Sequence, residues 1–124
     1  MKVTSKKYLV AIAVPALDRF GRPLGEEVIQ EWTKRALDEL TQCFGGATPL
    51  EAWGENVLNG KVVYEKGQML VLSGCDERAD FLKHKARIES FADSMRTALN
   101  QESVFVLAFA PDSFLVEGES SDTS

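Results

Sequence analysis

Apolar residues along this chain follow two rhythms. Residues 8–14 (Tyr-Leu-Val-Ala-Ile-Ala-Val) and 104–109 (Val-Phe-Val-Leu-Ala-Phe) are unbroken apolar runs, each with a proline close behind it, Pro15 or Pro111. Short runs of this kind predict strands, and their lack of alternation predicts strands that are apolar on both faces. Val28, Ile29, Trp32, Ala36, Leu37, Leu40 and Phe44 recur instead at spacings of three and four. That period predicts a helix beginning at Glu26 and stopped by Gly45-Gly46, with Trp32 on its buried stripe and the acids Glu26 and Glu27 at the positive end of its dipole. A second stripe, Phe81, Ile88, Phe91, Ala92, Met95 and Leu99, predicts a helix capped by Asp76 and ending near Asn100.

Two further strands complete the set. Residues 48–53 read as a short strand and 62–73 as a longer one bent near Lys66-Gly67. Asn59-Gly60 between them is a strong two-residue hairpin signal, so the two are expected to be antiparallel neighbours. Phe114 to Val116 adds a short extension after the Pro111-Asp112 turn. Residues 15–25, with Gly21, Pro23 and Gly25 among Asp18, Arg19 and Arg22, form a long connection of the kind that carries function.

The order strand, helix, hairpin, helix, strand is the split βαβ pattern. It predicts an α+β, ferredoxin-like βαββαβ fold: a four-stranded antiparallel sheet with two helices on one face. Both helices then cover the same face and leave the other open. In the last strand Phe105, Leu107 and Phe109 alternate with Val104, Val106 and Ala108; in the first, Leu9, Ala11 and Ala13 alternate with Val10, Ile12 and Val14. Each set is apolar, whereas a wet face calls for polar residues at every second position. The open face is therefore expected to be covered by a second copy of the chain, a two-fold homodimer being the default closed symmetry.

Composition narrows the function classes. The chain has 124 residues, expected to form one domain over 1–116 followed by a disordered acidic tail over 117–124 that has three acids and no apolar residue. With 14 basic against 19 acidic residues, net −5, neither nucleic acid nor an anionic membrane is an expected partner. Lys2, Lys6 and Lys7 ahead of the first apolar run imitate a signal peptide, but the run is short and ends at Pro15, so it reads as a strand of a cytoplasmic protein. Cys43 and Cys75 lie too far apart for a redox pair, and with His84 as the single histidine no metal site and no cofactor is expected.

Trp53-Gly54, the segment Val62-Val63-Tyr64-Glu65-Lys66 leading into Met69-Leu70-Val71-Leu72, and Ala86-Arg87-Ile88-Glu89 followed by Gln101-Glu102-Ser103-Val104 resemble a bacterial family known as a domain of unknown function, made of small βαββαβ proteins. The matching pieces span about half of the chain. The resemblance implies the fold and the hairpin with its loop; it carries no catalytic residue over. Many members look exported, whereas this chain lacks a convincing signal sequence.

Candidate chemistry is sparse. Glu65 interrupts an apolar strand between Tyr64 and Lys66, and a carboxylate on a sheet face can act as an acid or base; the bland expectation is an ion pair in water at the bend before Gly67. His84, three positions after Phe81 and four before Ile88, reads as a core-edge histidine. Trp53 is expected at the rim of a cleft or an interface. Arg78, Lys83, Lys85 and Arg87 form a basic patch, read as a solvated helix face balancing the acidic first helix. The leading expectation is a homodimeric binding or assembly module. The alternative is a small enzyme or ligand-binding protein of the dimeric α+β-barrel type, taking a small molecule between sheet and loops with Glu65, Trp53, His84 and Arg19 or Arg22.

Overall fold

The computed structural model describes residues 2–5, 8–58, 60–111 and 114–118. Its elements in chain order are β1 (Lys2–Ser5), β2 (Tyr8–Val14), α1 (Glu26–Phe44), β3 (Thr48–Leu58), β4 (Lys61–Cys75), α2 (Arg78–Ala98), β5 (Val106–Phe109) and β6 (Phe114–Glu117). Four strands make one antiparallel sheet in the order β3-β4-β2-β5, and β1 pairs with β6 in a separate two-stranded sheet. The main sheet with α1 and α2 is the ferredoxin-like α+β arrangement that the order of elements predicts.

The two faces of the sheet differ in what covers them. Val10, Ile12 and Val14 of β2 and Val71 of β4 are inaccessible to solvent and belong to one core with Leu40 of α1 and Met95 of α2. Ile12 lies opposite Val71 in register, so these alternate positions share the helix-covered face. Leu9, Ala11 and Ala13 project to the other side, with Leu70 and Leu72 opposite Ala13 and Ala11, and Leu107 and Phe109 opposite Ala11 and Leu9. Leu107 and Phe109 remain 38% and 39% exposed there, and Leu50 46%. The open apolar face foreseen from the two strands is present.

The first helix follows its local signals. α1 spans Glu26–Phe44, buries Trp32 and ends where Gly45 turns left-handed at φ 90°, a conformation that suits glycine. The second helix begins differently: Glu77, not Asp76, is its N-cap, and its amide donates to Asp80 Oδ2 at 3.1 Å. No helix among the described residues is long and apolar enough to cross a membrane.

The hairpin is longer than residue preferences suggest. β3 continues through Gly54-Glu55-Asn56 to Leu58, which pairs with Lys61 across a two-residue turn containing Gly60 at φ 77°; Asn59 lies outside the described residues. Polar residues read as a loop, yet the ladder's backbone hydrogen bonds hold them in a strand. A register shift at Ala52/Trp53 faces Gly67, whose φ of 85° marks a bulge. β5 starts at Val106, two residues later than expected. Glu117 is the last residue of β6, opposite Lys2, instead of the first of a tail, and residues 119–124 lie outside the described residues.

Leu40 is fully buried between helix and sheet. Leu40→Ala is expected to cost about 2–5 kcal/mol, read in urea as a lower midpoint at an unchanged slope.

Candidate functional site

The connection between β2 and α1 is ordered by its own polar groups. Leu17 bridges Pro23, the Asp18 amide donates to Arg22 O at 2.8 Å, and the Gly21 amide donates to Asp18 O at 3.0 Å. The Asp18 carboxylate accepts from the amides of Phe20 (2.9 Å) and Arg22 (3.0 Å) on Oδ1 and from Arg22 Nε (2.8 Å) on Oδ2. Burial alone pushes the Asp18 carboxyl up, but the two amides and the Arg22 guanidinium together hold it below the usual carboxylate range.

Glu65 anchors the start of the same loop. It stands on β4 two residues before the Gly67 bulge, is only 7% exposed, and its Oε1 accepts from the amides of Ala16 (2.9 Å) and Leu17 (3.0 Å). A carboxylate is tolerated inside a protein where donors meet it. The expected position in water is thus corrected: the loop folds over Glu65 and removes it from solvent. Opposite Glu65 in register is Gly54, where a Cβ would come within 2.7 Å of Gln68 Nε2. The missing side chain lets Gln68 lie against the strand.

The segment after α2 closes the other side. Gln101 Nε2 donates to Leu17 O at 2.7 Å and to Leu99 O at 3.0 Å. Arg19 returns the contact, its amide donating to Asn100 O and its Nη2 to Gln101 O, both at 2.9 Å. Between these pieces lies a cleft of about 350 Å³ with Asp18, Arg19, Glu65, Gln68, Gln101 and Glu102 among its polar groups. Ala13, Val63 and Phe105 supply an apolar wall. Ala13 and Phe105 continue the open face of the sheet, where the Ala13 amide donates to Phe105 O at 3.0 Å. A larger cavity of about 620 Å³ lies on the other side of the loop, between it, α1 and the hairpin, and is mostly apolar.

The structure gathers only part of the expected constellation. Glu65 and Arg19 share the cleft. Trp53 does not: it pairs in register with Lys66, on the hairpin face opposite Glu65, and is 64% exposed. There it meets Tyr64 edge-on at 6.0 Å with Lys66 Nζ 5.3 Å from its ring. His84 sits half-buried on α2, edge-on to Phe44 at 5.5 Å, at the core edge its spacing predicts and away from the cleft. Arg22 is spent on Asp18 and on Phe20, its guanidinium 5.1 Å from that ring.

The basic patch is partly neutralised. Arg87 binds Glu39 and Gln42 of α1, and the Glu39 contact raises its pKa; Lys85 pairs with Glu89 at 2.9 Å. Arg78 and Lys83 are exposed. Burial pushes the thiols of Cys43 and Cys75 up, so neither is a ready nucleophile at neutral pH. Gln68, Gln101 and Glu102 escaped residue-type reasoning, since amides and a lone acid carry no motif. The Gln101-Glu102-Ser103-Val104 stretch was nevertheless among the pieces matched by resemblance.

Because the Asp18 carboxyl is held low, its clamp on the loop is complete at neutral pH and is lost as pH falls through that lowered value. In an NMR pH series the Phe20 and Arg22 amides are expected to titrate with a midpoint below about 3.9, the ordinary aspartate value. A midpoint at or above it contradicts the clamp.

No family model matches the chain, and no curated protein matches it significantly. Solved structures do. A phage SAM lyase in complex with S-methyl-5'-thioadenosine superposes with a TM-score of 0.61 at 14% identity, over 89% of this chain and 85% of that one. The phage SAM lyase in its apo state gives 0.58 at 15% identity, over 94% of both chains. CutA from Pyrococcus horikoshii gives 0.51 at 14% identity, over 86% and 85%. At such identities the likeness is one of fold, and it agrees with the ferredoxin-like α+β architecture described above.

Proposed function

We propose that this chain binds a small cationic molecule in the cleft around Glu65 and works in the cytoplasm as a homo-oligomer whose subunits cover the open face of the sheet. The observation that carries the reading is the cleft itself. It sets the carboxylates of Glu65 and Glu102, with the Arg22-paired Asp18 beside them, against one guanidinium, Arg19, next to an apolar wall. Field lines focused in a partly desolvated recess of that sign favour a cation. Its volume suits a metabolite.

Oligomerisation and binding meet at one place. Phe105 is 62% exposed, lines the cleft and continues the apolar face formed with Leu107, Phe109 and Leu50. A second copy seated on that face would remove the exposed hydrocarbon from water and close the wall of the cleft as well. The ligand class also draws support from the similarity to the phage SAM lyase, whose complex holds S-methyl-5'-thioadenosine. An S-adenosyl sulfonium is a cation with a large apolar body, which fits an acidic recess with a hydrocarbon wall. These features favour ligand binding over assembly alone.

Light scattering at micromolar concentration is expected to give a multiple of the monomer mass, and Leu107→Asp to return the monomer; a wild-type monomer contradicts the oligomer. Titration calorimetry with S-adenosylmethionine is expected to show binding that Glu65→Gln weakens at least tenfold. The amide keeps an oxygen for the Ala16 and Leu17 N–H groups, so the fold survives the change. Release of S-methyl-5'-thioadenosine during incubation would mark a lyase; binding without release marks a binding protein.

A further inference from the structure

We infer that the side-chain amide of Gln68, seated by Gly54, reads a hydrogen-bonding edge of the ligand's ring, so that the cleft selects a heterocycle with an amino donor beside a ring-nitrogen acceptor, as in an aminopurine. The inference rests on the ligand-binding reading above and names the group of the ligand that this side of the cleft recognises.

Gly54 supplies the first observation. It lies inside β3 and its φ is not positive, so the backbone there would accept any residue. A glycine inside a strand weakens it and often marks a place where another group approaches the backbone closely. Among the described residues, a Cβ on Gly54 would meet the Gln68 amide alone, at 2.7 Å from Nε2 and 3.8 Å from Cδ. Ala52 stands opposite Gln68 and Gly54 opposite Glu65, so Gln68 reaches diagonally across the ladder to lie over the bare strand. The effect of the glycine here is to seat one amide.

The amide supplies the second. Gln68 is half-buried, lines the cleft, and makes no side-chain hydrogen bond among the described residues. Gln101, the other glutamine of the cleft, differs: its Nε2 donates to Leu17 O and Leu99 O and so holds the loop. A glutamine amide presents an acceptor and a donor in one plane. That pair matches the edge of an adenine, the amide oxygen accepting from the 6-amino group and the amide nitrogen donating to N7. Ala13, Val63 and Phe105 on the apolar wall of the same cleft offer hydrocarbon to the faces of such a ring.

Titration calorimetry tests this by comparing S-adenosylmethionine with the analogue whose purine lacks the 6-amino group. Wild-type protein is expected to bind S-adenosylmethionine about tenfold or more tightly than the analogue, because a site built to bond the amino group is left unpaired without it. Gln68→Met removes the amide and Gly54→Ala pushes it off its seat. Each is expected to cut the preference below about threefold while changing affinity for the analogue by less than about twofold. Gly54→Ala is also expected to keep or raise the urea midpoint; a lower midpoint would show that Gly54 serves the fold and would overturn the seating. Equal wild-type affinities, an undiminished preference in either variant, or a variant weakened equally toward both ligands would overturn the role of Gln68 and leave the cleft reading standing. No binding of either ligand by wild-type protein would overturn both. Should Gln68→Met not fold, Gly54→Ala decides alone, since it leaves Gln68 in the chain.

Discussion

Everything at the candidate site depends on one buried carboxylate. Glu65 reaches from β4 to the amides of Ala16 and Leu17, some 49 positions away in sequence, and fixes where the loop leaves the sheet. Backbone N–H groups that leave a strand must find acceptors, and an eleven-residue connection rich in glycine and proline would otherwise sample many conformations. Once the loop entry is pinned, Asp18 closes its tip and Gln101 holds its side. The bulge at Gly67 matters to this chain of contacts, because an extra residue in one strand re-aims the side chains before it.

The same strands serve two environments. Their helix-facing positions build a solvent-free core of Val10, Ile12, Val14 and Val71 under Leu40 and Met95. Their other positions hold hydrocarbon with no helix above it. At roughly 25 cal/mol per Å² of apolar surface, an uncovered face of leucine and phenylalanine forgoes stabilisation that a partner would supply. Ala11 illustrates the difference between centre and edge. It is 1% exposed on that open side because Leu72 and Leu107 flank it, while Phe105 near the rim is 62% exposed. The hairpin adds a second exposed stripe, Trp53, Val57, Val62 and Tyr64, at positions sharing one face of the β3-β4 ladder.

Charge is distributed with similar economy. The acidic α1 and the basic half of α2 meet through Arg87 with Glu39, where the two helices lie side by side. Most other ion pairs among the described residues, Lys34 with Asp38 and Arg35 with Glu31 among them, are exposed contacts one helical turn apart, and such pairs contribute at most a few tenths of a kcal/mol each. The cleft differs because its carboxylates and its guanidinium are gathered from three separated segments of the chain and partly removed from water.

How much of this was legible in the sequence follows from the range of the forces involved. Periodicity and capping are local, so α1, the strand at 8–14, the hairpin turn and the ferredoxin-like order could be read from the residues, and so could the two-sided apolarity of the outer runs. Trp32 in the core and His84 at its edge follow from the same helical stripes. What the sequence could not show was which distant groups meet. Glu65 beside Tyr64 and Lys66 looks like a solvated surface charge until the loop at Ala16 closes over it. Gln101 carries no signal until Leu17 and Arg19 arrive beside it. Trp53, conspicuous as a residue type, falls on the wrong face of its strand by the parity of the ladder. The sequence by itself determined the elements and their apolar faces because hydrophobic period and turn chemistry act over a few residues. Only the tertiary structure decided the cleft, because buried polar groups take their partners from wherever the backbone brings a donor within 3 Å, and that is set by the packing of the whole fold.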